Sequence, residues 1–518
     1  MSKWLLDFLR SSESDLSIPP EETERLAKEI LSGPADLDVY PSSIMLHDGR
    51  LFFMGRNGAE KRFGVLSEKD DSRAGFDGTH KQVNLENATV YLIVGATTPQ
   101  NAAQIRKVLP FMAPRVLGTQ AAAGCGDRLG LATPGHLWAF KESSLAPVLA
   151  QQSVRENQRT GRSPQVVLDD AMWGVFQEGW QDGYGADADH LKTTGDIDDF
   201  AAAGYTFYTI DPGEHLNLDA DAMSPSVLEE QAKSLPWSDL ETTQSDLERA
   251  LANSTIDLEG HQVGISREAL LRAVVKYGRV VAHTVRMYRH LVQVMGNRPF
   301  ELEVSVDETD SVTTLPEHIY LATEMRRLGV VWISLAPRYL GRFEKGVDYI
   351  GDLDAFEQSL AGHAAVARHF GPYKLSIHSG SDKLSAYPAF ARQAGRLLHL
   401  KTAGTSYLEA LRTLAQVNPD LFRRILRYSV ERYPEDRATY HVSAEIDRVP
   451  SWENEPDSFL PQLLEDFHAR EIMHVAYGSV LAVPDLKDPL MDTLITNESL
   501  YYQILKTHFD KHFRLLEA

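Results

Sequence analysis

The stretch YKLSIHSGSDKLSAYPAFARQAGRLLHLKTAGTSY, residues 373–407, decides the fold. It contains two short strand-like runs, at 374–377 and 396–400, and each run carries a histidine at or near its end. Each run then opens into small residues, first at 379–381 and then at 403–406. In a parallel α/β barrel the loops after the strands form the active-site face, and those after the last two strands often hold a phosphate or carboxylate. The stretch therefore predicts an enzyme that acts on a small anionic molecule.

The same rhythm of strand, loop and helix extends through most of the chain. Helical patterns follow most of the apolar runs of strand length, and such alternation predicts parallel pairing through right-handed crossovers. Eight runs are found, at 115–117, 165–168, 185–189, 205–210, 300–306, 330–335, 374–377 and 396–400. The sequence therefore predicts an α/β protein with a (β/α)8 barrel of the TIM type.

Three further regions are predicted around the eight units. Residues 1–112 show helices and strands without the barrel rhythm and indicate an N-terminal α+β accessory domain, so that the catalytic barrel occupies 113–518. The long gap between the fourth and fifth strands, about 213–297, predicts a helical insertion that includes a long helix over 267–295, because a structureless loop of that length is uncommon. The C-terminal end is predicted to be a helical tail.

Composition restricts the partners and the compartment. The 518 residues include 52 lysines and arginines against 73 aspartates and glutamates, a net charge of −21, which argues against nucleic-acid and anionic-membrane partners. The single cysteine, Cys125, excludes an intrachain disulfide and fits a reducing compartment. No run approaches the ~20 apolar residues of a membrane span. We expect a cytoplasmic enzyme with a small-molecule substrate, and a homo-oligomer is compatible with the sequence.

Histidines at three predicted strand ends suggest a metal site. His190, His378 and His399, with the carboxylates Asp189 and Glu303, are ligands suited to one divalent ion such as Zn, Mn, Co or Ni. Any one of these histidines could instead be a hydrogen-bonded barrel residue. Three of them at strand ends favour the metal.

The two carboxylates also have the character of an acid/base pair. Asp189 lies beside His190, and Glu303 is predicted to point into the barrel from the fifth strand. An acid/base pair needs two groups on opposite sides of a substrate carbon, with pKa values separated by their environments. Asp189 and Glu303 are the candidates for these two groups, and each could equally be a metal ligand.

Small residues and cations at the strand ends predict the substrate-binding groups. Loops of small residues let backbone N–H groups approach an anion, and an arginine can clamp a carboxylate with two hydrogen bonds. The predicted substrate-binding residues are Arg128, Lys192, Arg338, Gly380, Ser381, Lys401 and Thr405. Lys401 in the KTAG sequence also raises the possibility of a Schiff-base aldolase.

Long motifs in the same order resemble the tagaturonate/fructuronate epimerase family. They are GDRLGLATPGH, GADADHLKT, ELEVSVDETDSVTT, SLAPRYLGRFEKGVDYIGDL, LSIHSGSDK and HLKTAGTSYLEALR. The resemblance implies a divalent-metal-dependent enzyme that interconverts D-tagaturonate and D-fructuronate by inversion at C4. It further implies that Asp189 is the proton acceptor, that Glu303 is the proton donor, and that His190 and His378 are metal ligands, with His399 chosen as the third.

The chemistry of such a reaction limits its route. In a 2-ketose, C4 is β to the carbonyl, so the ketone does not acidify its hydrogen, and either retro-aldol cleavage and re-addition or carbonyl migration to give an enediolate is needed. Two other functions use similar residues. One is a class II-type, metal-dependent aldolase acting on an acidic or phosphorylated ketose, and the other is a non-catalytic sugar-acid binding protein.

Overall fold

The computed structural model describes residues 3–11, 18–31, 33, 35–70, 75–85, 88–309 and 311–517. Its N-terminal part is an antiparallel sheet with the order β1-β3-β4-β6-β5, in which β2 pairs with β3, and it is accompanied by three helices. The elements are α1 (Lys3–Ser11), α2 (Pro20–Leu31), β1 (Asp38–Val39), β2 (Met45–His47), β3 (Arg50–Asn57), β4 (Glu60–Ser67), β5 (Thr79–Leu85), β6 (Ala88–Ala96) and α3 (Pro99–Val108).

Alternation along β3 divides this sheet between two cores. Leu51 and Phe53 face a small core formed with the N-terminal helices. Phe52 and Met54 face the opposite way and join the large core that continues into the barrel. Successive strand residues point to opposite faces, so a strand with no polar face is covered on both sides. The N-terminal sheet is therefore packed directly against the barrel.

The first half of the barrel comprises four parallel strands with their helices. The elements are β7 (Ala122–Cys125), α4 (Thr133–Phe140), β8 (Ala146–Ser153), α5 (Val154–Thr160), α6 (Pro164–Gln177), β9 (Gly185–Leu191), α7 (Thr194–Ala203) and β10 (Phe207–Ile210). The strand predictions at 115–117 and 165–168 are wrong. Residues 165–168 lie in the first turns of α6, which begins with the cap Ser163, whose side chain accepts from Val166 N, followed by Pro164. Serine before proline is a helix-start signal that outweighs a short apolar run.

An insertion separates β10 from the second half of the barrel. It comprises α8 (Pro225–Lys233), α9 (Gln244–Leu251), β11 (Ser254–Leu258), β12 (His261–Ile265) and α10 (Arg267–Met295). The long helix is confirmed with the predicted bounds, and its cap Ser266 accepts from Ala269 N. The insertion is not wholly helical, because β11 and β12 form an antiparallel hairpin. Gly260 makes its turn at φ +89°, a backbone region that favours glycine.

The second half of the barrel completes the closed sheet in the order β10-β13-β14-β15-β16-β7-β8-β9. Its elements are β13 (Glu301–Ser305), α11 (Leu315–Arg327), β14 (Ser334–Ala336), α12 (Leu353–Phe370), β15 (Lys374–Ile377), α13 (Tyr387–Ala394), β16 (Leu398–Thr402) and α14 (Thr405–Val417). All eight strand pairs of the ring are parallel. The predicted (β/α)8 barrel is therefore confirmed.

The C-terminal tail is helical and packs against the first barrel helix, α4, and the last two, α13 and α14. It comprises α15 (Pro419–Asp436), α16 (Phe467–Val475), α17 (Tyr477–Leu481), α18 (Pro484–Thr496) and α19 (Glu498–Leu516). Tyr440 and His441, between α15 and α16, lie over the barrel mouth and line a cavity there. Within the described part of the chain, none of the helices has the length and apolarity that crossing a membrane requires.

Candidate active site

A buried lysine at the carboxyl end of β16 bridges three carboxylates. Lys401 Nζ lies 2.7 Å from Asp187 Oδ2, 2.8 Å from Asp189 Oδ1 and 2.7 Å from Glu303 Oε1. It also donates to Thr209 Oγ1 at 2.7 Å. All five side chains are buried. A single ammonium thus compensates three acidic groups from β9 and β13, the two strands that flank β10.

This arrangement shifts the pKa values of the four ionisable groups in different directions. Burial lowers the pKa of Lys401, but the three carboxylates outweigh burial and hold that pKa above its ordinary value. Burial raises the pKa of Asp189 and Glu303, but Lys401 and the nearby histidines bring both pKa values below the usual range. For Asp187, burial prevails and raises the pKa to about 6. Lys401 therefore stays an ammonium and is no amine nucleophile, which disfavours the Schiff-base chemistry.

A bulge in β9 turns two consecutive residues toward the barrel mouth. Ala188 pairs with Tyr208 and Leu191 with Ile210, so two residues of β9 lie opposite one residue of β10. One of the two, His190, has φ +54°, a left-handed conformation that is costly for a residue other than glycine. Bulges and backbone strain of this kind concentrate at functional sites. The bulge explains how Asp189 and His190 both reach the site.

The imidazoles of His190 and His378 face each other across the mouth. His190 Nε2 lies 3.4 Å from His378 Nδ1, and Asp189 Oδ1 lies 3.8 Å from His190 Nε2. The outer nitrogens are held by carboxylates, His190 Nδ1 by Asp211 Oδ2 at 3.3 Å and His378 Nε2 by Glu303 Oε1 at 2.5 Å. Burial lowers the pKa of His190, but Asp189, with the other nearby carboxylates, outweighs it and raises that pKa to about 10.

The donor atoms of Asp189, His190 and His378 fit a divalent ion. All three lie within 4.8 Å of one another. Bonds of 2.0–2.1 Å in tetrahedral geometry place ligand atoms about 3.3 Å apart, close to the separation of the two facing ring nitrogens. A carboxylate on the far nitrogen of each histidine is the usual support of a metal-binding imidazole. The residues present are therefore compatible with a bound metal.

Two cavities meet at this cluster. The larger, about 210 Å³, lies toward β13 and β14, and the smaller, about 30 Å³, lies toward β8 and β9. Both are lined by Lys345, His378, Ser379 and Tyr440. The smaller also contains Asp189 and His190 in its wall. Together they form a polar chamber suited to a small hydroxylated molecule.

The structure does not bring His399 to the two other histidines. Its side chain is fully buried and lies beside Phe207 at 5.4 Å between ring centroids. Burial lowers the pKa of His399 well below its usual value. His399 and Lys401 alternate on one face of β16, but His399 lies two residues, about 6.6 Å, deeper in the barrel. Asp189, not His399, is the third ligand-type group at the pair.

The predicted substrate-binding residues fall into two groups. Arg128, Arg338 and Ser381 line the cavities. The other four are absent from the cavity walls: Lys192 is half-exposed and paired with Glu214 at 3.0 Å, Gly380 donates its N–H to the Lys401 carbonyl, Lys401 is occupied by carboxylates, and Thr405 is buried. Gly380, Lys401 and Thr405 therefore lie behind the wall of the site, and Lys192 lies outside it.

Other residues of the site were not selected from the sequence. Asp187 shares Lys401 with the two predicted carboxylates, Asp211 holds His190, and Lys345 lines both cavities. The GADADH sequence contains a signal for the first, because Asp187 and Asp189 alternate on one face of β9. Lys345 lies in the loop between β14 and α12, where no periodicity indicates its direction.

A barrel whose strand ends hold buried carboxylates and metal-compatible imidazoles beside a chamber lined by charged side chains is typical of an enzyme acting on small polar substrates. Comparison with known proteins shows the family to which the chain belongs. The chain matches the tagaturonate epimerase (UxaE) family over residues 40–516 and belongs to that family.

Individual relatives agree with this assignment. The chain is 41% identical over 482 residues to the tagaturonate/fructuronate epimerase of Thermotoga maritima, which covers 93% of this chain and 97% of the relative. The native crystal structure of fructuronate-tagaturonate epimerase UxaE from Cohnella laeviribosi matches with a TM-score of 0.87 at 33% identity, covering 96% of this chain and 99% of that one. A glycerol complex of the same enzyme matches equally well. The resemblance inferred from the motifs is confirmed.

Proposed function

We propose that this chain is a divalent-metal-dependent epimerase that interconverts D-tagaturonate and D-fructuronate by inversion at C4. Family membership and the 41% identical relative support the reaction. The convergence of Asp189, His190 and His378, whose donor atoms lie within 4.8 Å of one another, supports the metal dependence and is the observation that carries the proposal.

The retro-aldol route makes defined demands on the residues. A base removes the proton of the C4 hydroxyl as the C3–C4 bond breaks, which leaves an aldehyde at C4 and an enediolate over C2 and C3. Rotation of the aldehyde and reformation of the bond invert C4, and the new alkoxide then regains a proton. A bound divalent ion supplies Lewis-acid stabilisation of the negative charge that develops on the substrate oxygens. The chain's own groups must take up the proton, return it and exclude water.

We assign proton acceptance to Asp189 and proton donation to Glu303. Asp189 is buried beside the two imidazoles and has a lowered pKa, so it is ionised and able to accept. Glu303 also contacts Lys401 and is ionised in the resting site, so it donates only after it has taken up the proton that Asp189 accepts, by way of the carboxyls that share Lys401. A proton on any one of the three carboxyls reduces their mutual repulsion, and Asp187, with its pKa of about 6, is where that proton is held most easily. The three carboxyls on Lys401 thus form one proton-sharing unit.

Proton NMR of the purified protein with D-tagaturonate tests the function. We expect D-fructuronate to form with metal-loaded protein and at least tenfold more slowly after chelation. Net release of three-carbon fragments would instead indicate an aldolase. Binding of the hexuronate without any conversion would indicate a sugar-acid binding protein and would refute the epimerase.

Replacement of Asp211 by asparagine tests the metal site without relying on turnover. We expect Asp211→Asn to weaken metal binding about 10- to 100-fold, because the carboxylate that orients His190 at 3.3 Å loses its charge. Calorimetric titration of the apoprotein with Mn²⁺ or Zn²⁺ measures the change. Asp198→Asn is the matched control, since Asp198 contacts a surface histidine, His290, at 2.7 Å. Equal metal affinities for the two variants would contradict the assignment.

A further inference from the structure

Five arginines and lysines line the two cavities, and four of them are already engaged by the protein. Their partners are Glu156 for Arg128 at 2.8 Å, Glu308 for Arg155 at 3.4 Å, the Thr309 carbonyl for Arg338 at 2.8 Å, and Glu344 for Arg342 at 3.3 Å. A cation that is paired with a carboxylate, or whose donors are used by backbone carbonyls, offers less to an anionic ligand than one without such partners. Four of the five are therefore poor candidates for binding the substrate's charge.

Lys345 is the fifth cation and differs from the others. Its Nζ donates to Ser379 Oγ at 2.9 Å, and among the residues that the structure describes no carboxylate forms an ion pair with it. It lines both cavities, so its charge lies where they meet. The ammonium has three donors, of which the serine uses one, and the serine hydroxyl keeps its own hydrogen for another acceptor. Lys345 and Ser379 together offer donors to a ligand.

The Lys345–Ser379 pair lies near the reacting groups. Ser379 directly follows His378, whose Nδ1 faces His190 Nε2 at 3.4 Å. Lys345 and Ser379 line both cavities together with His378, and the smaller cavity also contains His190. Asp307 and Glu308 line the same cavity and repel an anion, and Glu308 is near enough to Lys345 for that ammonium to help lower the pKa of its carboxyl. A substrate carboxylate finds its complementary charge at the Lys345 end.

We propose that Lys345, with the Ser379 hydroxyl, binds the carboxylate of the substrate and makes the enzyme selective for ketouronates over neutral ketohexoses. This assignment rests on the proposed function, because it takes the ketouronate as substrate. Lys345 has no place in the proton transfers. Its charge positions the chain so that C4 reaches the carboxyl cluster, and a hydroxymethyl group in place of the carboxylate receives no such help.

The test compares Lys345→Met with wild type on two ligands. D-tagatose carries a hydroxymethyl group where D-tagaturonate carries the carboxylate. We expect the variant to lose about 10- to 100-fold in kcat/KM and in affinity for D-tagaturonate, the size of a hydrogen bond to a charged group, mainly through KM. Values for D-tagatose should change less than about threefold. Lys345→Arg should keep most of the affinity for D-tagaturonate, and Lys233→Met, on exposed α8, should match wild type.

Calorimetric measurement of D-tagaturonate binding distinguishes an error in the carboxylate site from an error in the proposed epimerase function. If wild type binds D-tagaturonate without converting it, the epimerase is refuted, and the dissociation constants of the Lys345 variants still decide the carboxylate site. Unchanged affinity in Lys345→Met overturns the inference. An equal loss for D-tagaturonate and D-tagatose also overturns it, because that result indicates a structural role for Lys345. Thermal melting of each variant verifies that it is folded.

Discussion

Replacing Lys401 by methionine should lower the free energy of unfolding by about 3–5 kcal/mol and reduce kcat on the order of 10³-fold. Lys401 Nζ is the shared partner of Asp187, Asp189 and Glu303, at 2.7–2.8 Å from each. Methionine fills a similar volume but leaves three buried carboxyls without a cation. They must then take up protons or repel one another, and either outcome removes the ionised Asp189 on which proton acceptance depends.

Lys374→Met is the matched control for this change. Lys374 is also a buried strand lysine, on the neighbouring β15, but burial lowers its pKa, whereas the three carboxylates raise that of Lys401. Its loss should cost far less stability than loss of Lys401. Chemical denaturation measures stability, and NMR with D-tagaturonate measures turnover. A Lys401→Met protein as stable as Lys374→Met would contradict the view that Lys401 compensates three charges.

Much of the barrel could be predicted because its second half has clear strand signals. The runs that became β15 (KLSI) and β16 (LHLKT) are short, alternate apolar and polar residues, and are followed by loops of small residues. The first two strands lack such signals. β7 has the sequence AAGC, without β-branched residues, and β8 ends in the polar Gln151, Gln152 and Ser153. Gly124 of β7 lies where an added Cβ would come 2.8 Å from Gln151, so packing against a neighbouring strand selected the small residue there.

The candidate site was predictable in its residue types more than in its depth and connections. Alternation along β16 indicates that His399 and Lys401 share a face, but it does not tell which layer of the barrel meets the substrate. Contacts between residues far apart in the chain determine the strand pairing around the bulge in β9, the ion pairs of Lys401 and the direction of Lys345. The local periodicity of the sequence indicates none of these contacts.

Asp189 links the two kinds of chemistry assigned to the site. Its Oδ1 contacts Lys401 at 2.8 Å and lies 3.8 Å from His190 Nε2, so one oxygen borders both the proton-sharing unit and the imidazole pair. The sequence left acid/base and ligand roles open for this residue, and the geometry explains why both were plausible. Glu303 Oε1 likewise contacts Lys401 and an imidazole, at the outer nitrogen of His378, but Glu303 is not one of the three groups whose donor atoms converge. Glu303 is therefore the sharper probe of proton transfer.

Glu303→Gln should lower kcat for D-tagaturonate by about 10²- to 10⁴-fold while the protein stays folded and still binds metal. Glutamine keeps the shape and a hydrogen-bonding oxygen but cannot exchange a proton at this position. Asp187 and Asp189 remain to pair with Lys401, so the buried ammonium is still compensated. His378 loses the carboxylate that orients its outer nitrogen, so the metal affinity measured by calorimetry should fall about 10- to 100-fold, as for Asp211→Asn, and kcat is compared at saturating metal.

The matched control is Glu301→Gln, the same substitution two residues earlier on the same strand. Glu301 lies at the start of β13 and accepts a hydrogen bond from Gly118 N, whereas Glu303 contacts Lys401 and His378. Its replacement should affect stability more than kcat, so the ratio of the two kcat values isolates the contribution of position 303. If the kcat of Glu303→Gln lies within threefold of that of Glu301→Gln, Glu303 takes no part in proton transfer. The proton-sharing unit would then consist of the two β9 aspartates and Lys401, with Asp187 as the group that returns the proton.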